Sequence, residues 1–558
     1  MENKPLIVQS DRTLLLFVDS PFFEEARSEI GIFAELVKSP EYVHTYRITP
    51  VSLWNAASAG WSTDMIINSL EKYSRFDLPE NILFEIKEYI GRYGKLKLIT
   101  REGRLILQAE DELFLQVVLG NRKASKYIVK RLSDREAEVE KYARGYIKLA
   151  LIKMGYPVED WAGYTEGEPF NFRVTNLVYR PYQVDAIEAF YLKGSEKGGS
   201  GVVVLPCGAG KTIVGIGVME KLQTKTLIVA TSTIAVRQWK EELLDKTDIK
   251  ETDIGEYTGD VKEIKPITIT TYQMLTHRKK KGEDFKHMAL FEAQNWGLII
   301  YDEVHLLPAP VFRITAELQA KRRLGLSATL VREDGKEDEI FALVGPKRYD
   351  APWKLLEKQG WIAKAICFEI RAEMPEKLKW KYAAASPKEK YVIASTNPEK
   401  EKALELILKR HRGDQILIIG QFIDQLKKIA RKLKAPLITG ATPNDQRKLL
   451  YEKFKKGEEK ILVVSKVANF AIDLPTAKVA IQLSGTFGSR QEEAQRLGRI
   501  LRPKPGENQA FFYSIVSRDS LDEMYSAKRQ IFLTEQGYKY IILKLEEFDE
   551  KSDISRVL

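Results

Sequence analysis

The chain has 558 residues, a formal net charge of +10, 44% hydrophobic and 10% aromatic residues, two cysteines and five histidines. That content suits packed domains, three or four of them at about 150 residues each, and excludes disorder throughout. The two cysteines, Cys207 and Cys367, exclude a disulfide framework and a cysteine-rich zinc module. The mild basic excess is compatible with a polyanionic partner but is shared by many housekeeping enzymes. Met1-Glu2-Asn3-Lys4 carries no basic-then-apolar signal, and the longest early apolar run, Leu14–Val18, is far below the ~20 residues of a membrane helix. The expectation is a protein of a reducing compartment with no membrane partner: cytoplasmic and nucleoid-associated, or nuclear if the source is a eukaryote.

Residues 1–94 read as a helical region and 95–170 as a small α/β module. Thr49-Pro50 predicts a helix start, since threonine caps and proline fits the first helical position. Ser62–Tyr73 and Pro79–Tyr93 predict two further amphipathic helices. Alternation in Lys95–Ile99 and Arg104–Gln108 around Glu102-Gly103 predicts a hairpin. Ser133-Asp134-Arg135-Glu136 reads as a capping box for a helix running toward Met154.

Thereafter short β-rich runs alternate with helical stretches, which predicts parallel sheets covered by helices. A first lobe, residues 171–350, carries Gly201–Leu205, Thr226–Ala230, Ile267–Thr271, Leu298–Tyr301 and Leu324–Ser327. A second, residues 351–558, carries Gln415–Gly420, Ile461–Ser465, Val479–Ser484 and Ala510–Ser514. The expected fold class is α/β: two parallel-sheet lobes after a mixed helical and α/β N-terminal region. The Lys/Glu-rich stretch Pro375–Lys400 reads as an insertion or linker, and the basic runs Arg278–Lys281 and Lys321–Arg323 as solvated faces. No internal repeat is evident.

Three motifs carry chemistry. After Val202-Val203-Val204-Leu205 comes Pro206-Cys207-Gly208-Ala209-Gly210-Lys211-Thr212 and then a helical pattern. Strand, glycine loop and helix start together cradle phosphate with backbone N–H groups; Lys211 reaches the β/γ-phosphates and the Thr212 hydroxyl binds Mg²⁺. Leu205 stands where the strict loop pattern has glycine. The apolar run Leu298–Tyr301 ends in Asp302-Glu303-Val304-His305, with Asp302 suited to hold Mg²⁺ and Glu303 to orient or deprotonate the attacking water. In the second lobe Gln495, Arg499 and Arg502 fall on one helical face. Arginines there could meet a γ-phosphate across a cleft, so hydrolysis would require closure and the lobes would move on each turnover.

Taken in order, these strings resemble superfamily 2 helicases. Arg180-Pro181-Tyr182-Gln183 looks like the adenine-recognising element, and Ser327-Ala328-Thr329 like the motif that couples hydrolysis to strand movement. Thr231, Gln238-Trp239 and Thr270-Thr271-Tyr272 sit where the family places contacts to the nucleic-acid backbone. The resemblance narrows to the XPB-type DNA repair helicases, named for xeroderma pigmentosum group B, through the glycine loop, Asp302–His305, and Arg332-Glu333-Asp334 after the Ser-Ala-Thr motif. Ser465-Lys466-Val467 through Asp473-Leu474-Pro475 and Gly488–Arg502 extend it, as does Tyr46–Trp54. Ala468-Asn469 replaces the Gly-Asp common there.

The resemblance implies a 3′→5′ DNA helicase or duplex translocase using ATP and Mg²⁺, with Arg180, Gln183 and Asp473 at the nucleotide and Ser465, Lys466 and the Arg-Glu-Asp loop at DNA. It implies a damage-recognition role near residues 95–160 and a thumb-like insertion near 374–394. It also implies DNA junctions as partner, with a partner nuclease or a repair or transcription complex as further possibilities. Rival expectations are a translocase that separates no strands, an ATP-gated DNA-clamping scaffold, and an RNA helicase.

Overall fold

Alternation in the first residues builds a sheet where helices alone are expected. β1 (Leu6–Val8), β2 (Thr13–Phe17), β3 (Glu35–Lys38) and β4 (Val43–Arg47) form an antiparallel sheet of order β1-β2-β4-β3. The apolar run Leu14–Val18 supplies β2, whose Leu14 and Leu16 are buried; apolar residues on both its faces hide the alternation. The structure, a computed structural model, describes residues 4–39, 42–140, 143–162, 166–195, 198–206, 208–277, 290, 293–307, 322–328, 337–351, 353–465, 477–485, 496–498, 500–501 and 508–550. It divides into two units, Met1–Leu205 with Gly210–Ala351, and Pro206–Ala209 with Pro352–Leu558.

The expected helices follow in the first unit. Thr49 Oγ1 accepts from Ser52 N at 3.1 Å and opens Pro50–Ser58; Ser62 caps Thr63–Tyr73; Glu80–Arg92 completes the set. β5 (Leu96–Arg101) and β6 (Arg104–Ala109) form the expected hairpin, turning at Glu102 (φ 51°) and Gly103 (φ 74°). With β7 (Ile128–Arg131), β8 (Glu136–Val139) and β9 (Val158–Asp160) they make a sheet of order β7-β8-β6-β5-β9. The capping-box reading of Ser133–Glu136 is overturned. Leu132 N donates to Glu136 O at 2.9 Å, Ser133 Oγ accepts from Arg135 N at 3.2 Å, and Glu136 binds Arg101. These residues close the β7–β8 turn, and the helix begins only at Arg144.

The first lobe holds β10 (Ser200–Val204), β11 (Thr226–Ala230), β12 (Ile254–Tyr257), β13 (Ile267–Thr271), β14 (Leu298–Asp302), β15 (Arg322–Ser327) and β16 (Lys347–Asp350), ordered β12-β13-β11-β14-β15-β10-β16. The second holds β17 (Lys364–Ala372), β18 (Ile416–Gly420), β19 (Leu437–Ile438), β20 (Ile461–Ser465), β21 (Val479–Gln482), β22 (Gln509–Ser517) and β23 (Tyr540–Lys544), ordered β19-β20-β18-β21-β22-β17-β23. Every pairing in both sheets is parallel. Numbered from one within each lobe, both orders read 3-4-2-5-6-1-7. The repeat lies in topology, and no residue pattern announced it.

Trp54 and Ile152 from the N-terminal region share a core with Val202, Leu227, Ile299 and Tyr301 of the first lobe. Trp54 Nε1 donates to Tyr89 O at 3.0 Å and its ring lies 6.1 Å from Phe341. A buried ion cluster adds to this. Asp160 in β9 meets Arg144 (2.7 Å) and Lys148 (2.5 Å) of the helix Arg144–Lys153 and Arg323 of β15 (2.9 Å). Arg323 is therefore a core residue, which corrects the solvated-face reading of Lys321–Arg323 at that position. Pro375–Lys400 is likewise folded, as helices Glu376–Ala384 and Pro387–Ser395, so the linker reading is set aside.

Candidate active site

β10 delivers the glycine loop. Leu205 continues the strand: its N–H donates to Ser327 O at 2.9 Å and its side chain is buried, so this position belongs to the sheet rather than to the loop. Ala209 N then donates to Pro206 O at 3.1 Å. Gly208 (φ 81°) and Gly210 (φ 84°) take left-handed conformations, and Gly210 caps the helix Lys211–Leu222. A Cβ on Gly210 would stand 2.5 Å from Gln183 Nε2, which brings Gln183 against the loop. Gln183 Oε1 accepts from Arg180 N at 2.9 Å, and Arg180 Nη1 donates to Tyr182 Oη at 3.1 Å.

β14 delivers the acid pair. Asp302 is held twice: Trp239 Nε1 donates to Oδ2 at 3.0 Å, and Tyr272 Oη donates to its carbonyl at 2.9 Å. Glu303 is left-handed (φ 49°), a conformation that costs a non-glycine residue about 1–2 kcal/mol. Its Oε1 lies 2.6 Å from Lys211 Nζ. Its Oε2 is buried with no hydrogen-bond partner among the described residues, 3.5 Å from His305 Nδ1. His305 Nδ1 in turn lies 2.7 Å from Ser327 Oγ. The glycine loop's lysine, the acid pair and the Ser-Ala motif are thus joined side chain to side chain.

The two acids differ in charge preference. Burial, and next the charge of Glu303, push the Asp302 carboxyl up to about 6. Burial also acts on Glu303, but Lys211 and then His305 outweigh it and hold that carboxyl below its usual range. Glu303 therefore keeps its charge, as a group that must take or orient a proton of water requires.

The remaining candidates have mixed placements. Thr212 is the second residue of the loop's helix and half-buried. Thr231 and Gln238 are half-buried. Thr270 is buried with its hydroxyl donated to Tyr257 O at 2.8 Å, and Thr271 Oγ1 accepts from Met274 N at 3.2 Å as a helix cap. Trp239 is buried against Asp302. Ser465 ends β20, buried. Cys207, Thr329, Arg332, Glu333, Asp334, Lys466, Asp473, Arg499 and Arg502 lie outside the described residues. Sequence reasoning missed His305 as a working residue, although its place three positions after Asp302 on a tight turn was a usable signal.

The donor set fits a nucleoside triphosphate with Mg²⁺. Left-handed glycines at a helix N-terminus suit phosphate, and Asp302 with Thr212 supplies the one or two protein oxygens that Mg²⁺ takes beside phosphates and water. The buried lone oxygen of Glu303 suits an added polar group such as water.

Two lobes of one strand order, with a glycine loop leaving the first strand and an acid pair leaving the fifth, define a nucleotide-driven motor of helicase superfamily 2. A family model described as ERCC3/RAD25/XPB C-terminal helicase matches residues 356–556, and one described as type III restriction enzyme, res subunit, matches 176–332. The chain belongs to the XPB family. It is 52% identical to the DNA 3′-5′ helicase XPB of Mycobacterium tuberculosis over 97% of this chain and 98% of that one. It is 51% identical to the protein of that name from Kineococcus radiotolerans, over 98% of each. The general transcription and DNA repair factor IIH helicase/translocase subunit XPB of Danio rerio is 32% identical, over 98% of this chain and 80% of that one. A third family model, described as helicase conserved C-terminal domain, matches residues 6–133, which hold β1–β7 and no part of either parallel lobe. Among solved structures, S. cerevisiae Dbp5 bound to RNA and ADP BeF3 matches with TM-score 0.48 and 14% identity, over 74% of this chain and 96% of that one.

Proposed function

We infer that this protein is an ATP-dependent 3′→5′ DNA helicase that opens or tracks DNA in repair or transcription. The observation that carries the reading is the Lys211–Glu303–His305–Ser327 chain, which ties the phosphate-binding lysine and the general base to the motif at the end of β15. ATP with Mg²⁺ supplies the scissile phosphoanhydride and the neutralising charge. Around it, the Gly208–Gly210 backbone and the helix start at Lys211 bind phosphate. Lys211 leaves Glu303 for phosphate oxygen, so phosphate binding frees the Glu303 carboxylate for water. Trp239, donating to Asp302 Oδ2, fixes the carboxylate that would hold Mg²⁺. His305 reports the state of Glu303 to Ser327.

We assign Arg499 and Arg502 to the γ-phosphate, and Thr231, Gln238, Ser465 and Lys466 to the DNA backbone. Arg332-Glu333-Asp334 is assigned to strand opening. Backbone tracking makes binding salt-sensitive and largely sequence-blind. We assign the protein to the cytoplasm in association with the nucleoid, or to the nucleus in a eukaryotic source, with either a partner nuclease or a repair or transcription complex beside DNA. Among the described residues no helix is long and apolar enough to cross a membrane.

Strand displacement on duplexes with a single 3′ or 5′ tail tests the reading. Displacement with ATP from the 3′-tailed substrate alone is expected. Displacement only from the 5′-tailed substrate would contradict it, and triplex displacement without duplex opening would make the protein a translocase.

A further inference from the structure

In the second lobe the exit of β21 is gripped residue by residue. Gln482 Oε1 accepts from Arg496 Nη1. Leu483 O accepts from Lys400 Nζ at 2.8 Å, and Lys400 is paired with Asp522 at 2.5 Å in full burial. Ser484 Oγ accepts from Gln421 N at 2.8 Å. Gly485 O accepts from Tyr391 Oη. A Cβ on Gly485 would lie 2.4 Å from Arg529 Cζ, so the chain is also wedged at its last described residue.

Two of these partners come from segments with separate tasks. Arg496 is the second residue of the motif, beginning at Gln495, that carries Arg499 and Arg502. Tyr391 belongs to the hairpin of helices Glu376–Ala384 and Pro387–Ser395. On the first helix Lys377, Trp380 and Lys381 share one face, all exposed, Trp380 at 78%. The second adds exposed Lys388. An exposed indole among ammonium groups suits a stacked base and its phosphates. The other side of the hairpin is fixed: Tyr382 Oη accepts from Leu521 N at 2.9 Å, and the buried Tyr391 ring stands edge-on to Tyr525 at 5.3 Å. The segment Gln482–Gly485 is therefore where the hairpin and the arginine motif hold the same stretch of chain.

We propose that Tyr391 is a positioning residue that transmits nucleic-acid occupancy of the Trp380 face to the arginine motif through Gly485. The proposal rests on the DNA-motor reading above. The strand exit is held at Gln482 by Arg496 and at Gly485 by Tyr391, with Leu483 and Ser484 fixed between them, so the two anchors are joined by four packed residues with no slack chain.

The test is steady-state ATP hydrolysis by the full chain, titrated with single-stranded and duplex DNA, for wild type, Tyr391→Phe and Trp380→Ala, with thermal unfolding alongside. Tyr391→Phe is expected to keep the DNA-free rate and the KM for ATP, and to lose about fivefold or more of the DNA-stimulated kcat at an unchanged half-stimulating DNA concentration. Trp380→Ala is expected to do the reverse, raising that concentration while keeping the saturating kcat. Full stimulation in Tyr391→Phe overturns the proposal. Equal loss of basal and stimulated rates with a lowered unfolding temperature also overturns it, as the mark of a purely structural hydroxyl. A wild type that DNA does not stimulate overturns the motor reading itself, and the proposal with it.

Discussion

The two lobes arrange seven parallel strands in one order, yet the chain leaves corresponding strands into different chemistry. The first strand of the first lobe exits into Gly208–Lys211; that of the second exits into Glu373–Pro375 and the Trp380 hairpin. The fifth strand of the first lobe exits into Asp302-Glu303, where one Glu303 oxygen faces His305 at 3.5 Å and has no hydrogen-bond partner among the described residues. That of the second exits into Leu483–Gly485, each residue held by a neighbour. Parallel sheets place ligands at the carboxyl ends of their strands. One lobe keeps polar capacity open there for chemistry, and the other spends it on fixing the backbone. The common fold thus supplies positions, and a few exit residues decide whether a position reacts or transmits.

The contrast is broken most severely at Lys211. Lys211→Ala should lower ATP turnover by at least about 100-fold, since it removes a preorganised cation from developing phosphate charge. DNA binding by filter or fluorescence titration should survive, because the second lobe's hairpin face is untouched.

The next effect is in stability and compares buried ion groups. Asp160→Ala leaves Arg144, Lys148 and Arg323 without their carboxylate and should destabilise the first unit by about 3–5 kcal/mol in denaturant unfolding. Replacing Lys400 and Asp522 together by Met and Leu removes both charges at once but leaves Leu483 O and Ser517 N without these partners, so it should destabilise less than Asp160→Ala without being neutral. The cluster also predicts a pH slope. Burial and then the Arg323 charge lower Lys148 from 10.5 to about 7. Between those values the unfolded chain binds the proton and the folded chain does not, so stability should rise as pH rises from about 7 toward 10. Lys148→Met should flatten that part of the profile.

Smaller effects sharpen the comparison. Trp239→Phe deletes the donor to Asp302 and should weaken Mg²⁺ activation about tenfold with the fold intact. Gly210→Ala adds a side chain at φ 84° against Gln183. It should raise the KM for ATP by several-fold, in line with a left-handed penalty of about 1–2 kcal/mol.

Much of this was legible in the residues, for physical reasons. Central strands such as β10 and β18 are apolar on both faces, so Val202–Val204 and Ile416–Ile419 stand out as runs, and the exits that follow them are short and chemically marked. Edge strands were missed. β16 is half-exposed along its length, and β19 has two residues. The interior strand β17 was missed as well, because buried Glu369, satisfied by Ser526 and Gln530, breaks its apolar run. Ser133–Glu136 has the composition of a helix start and the geometry of a hairpin turn, a choice settled by the pairing of β7 with β8. Contacts distant in sequence were invisible: nothing near Arg323 announces Asp160, and nothing near Gly485 announces Tyr391.

The central claim is that the carboxyl ends of the first lobe's strands hydrolyse ATP in the service of DNA. The direct measurement is the ATP turnover of the full chain with no polymer, single-stranded DNA, duplex DNA and RNA, beside Glu303→Gln under each condition. DNA should accelerate the wild type at least about tenfold, RNA far less, and Glu303→Gln should stay near background throughout. A wild-type rate indifferent to every nucleic acid, or a Glu303→Gln rate equal to it, would contradict the account.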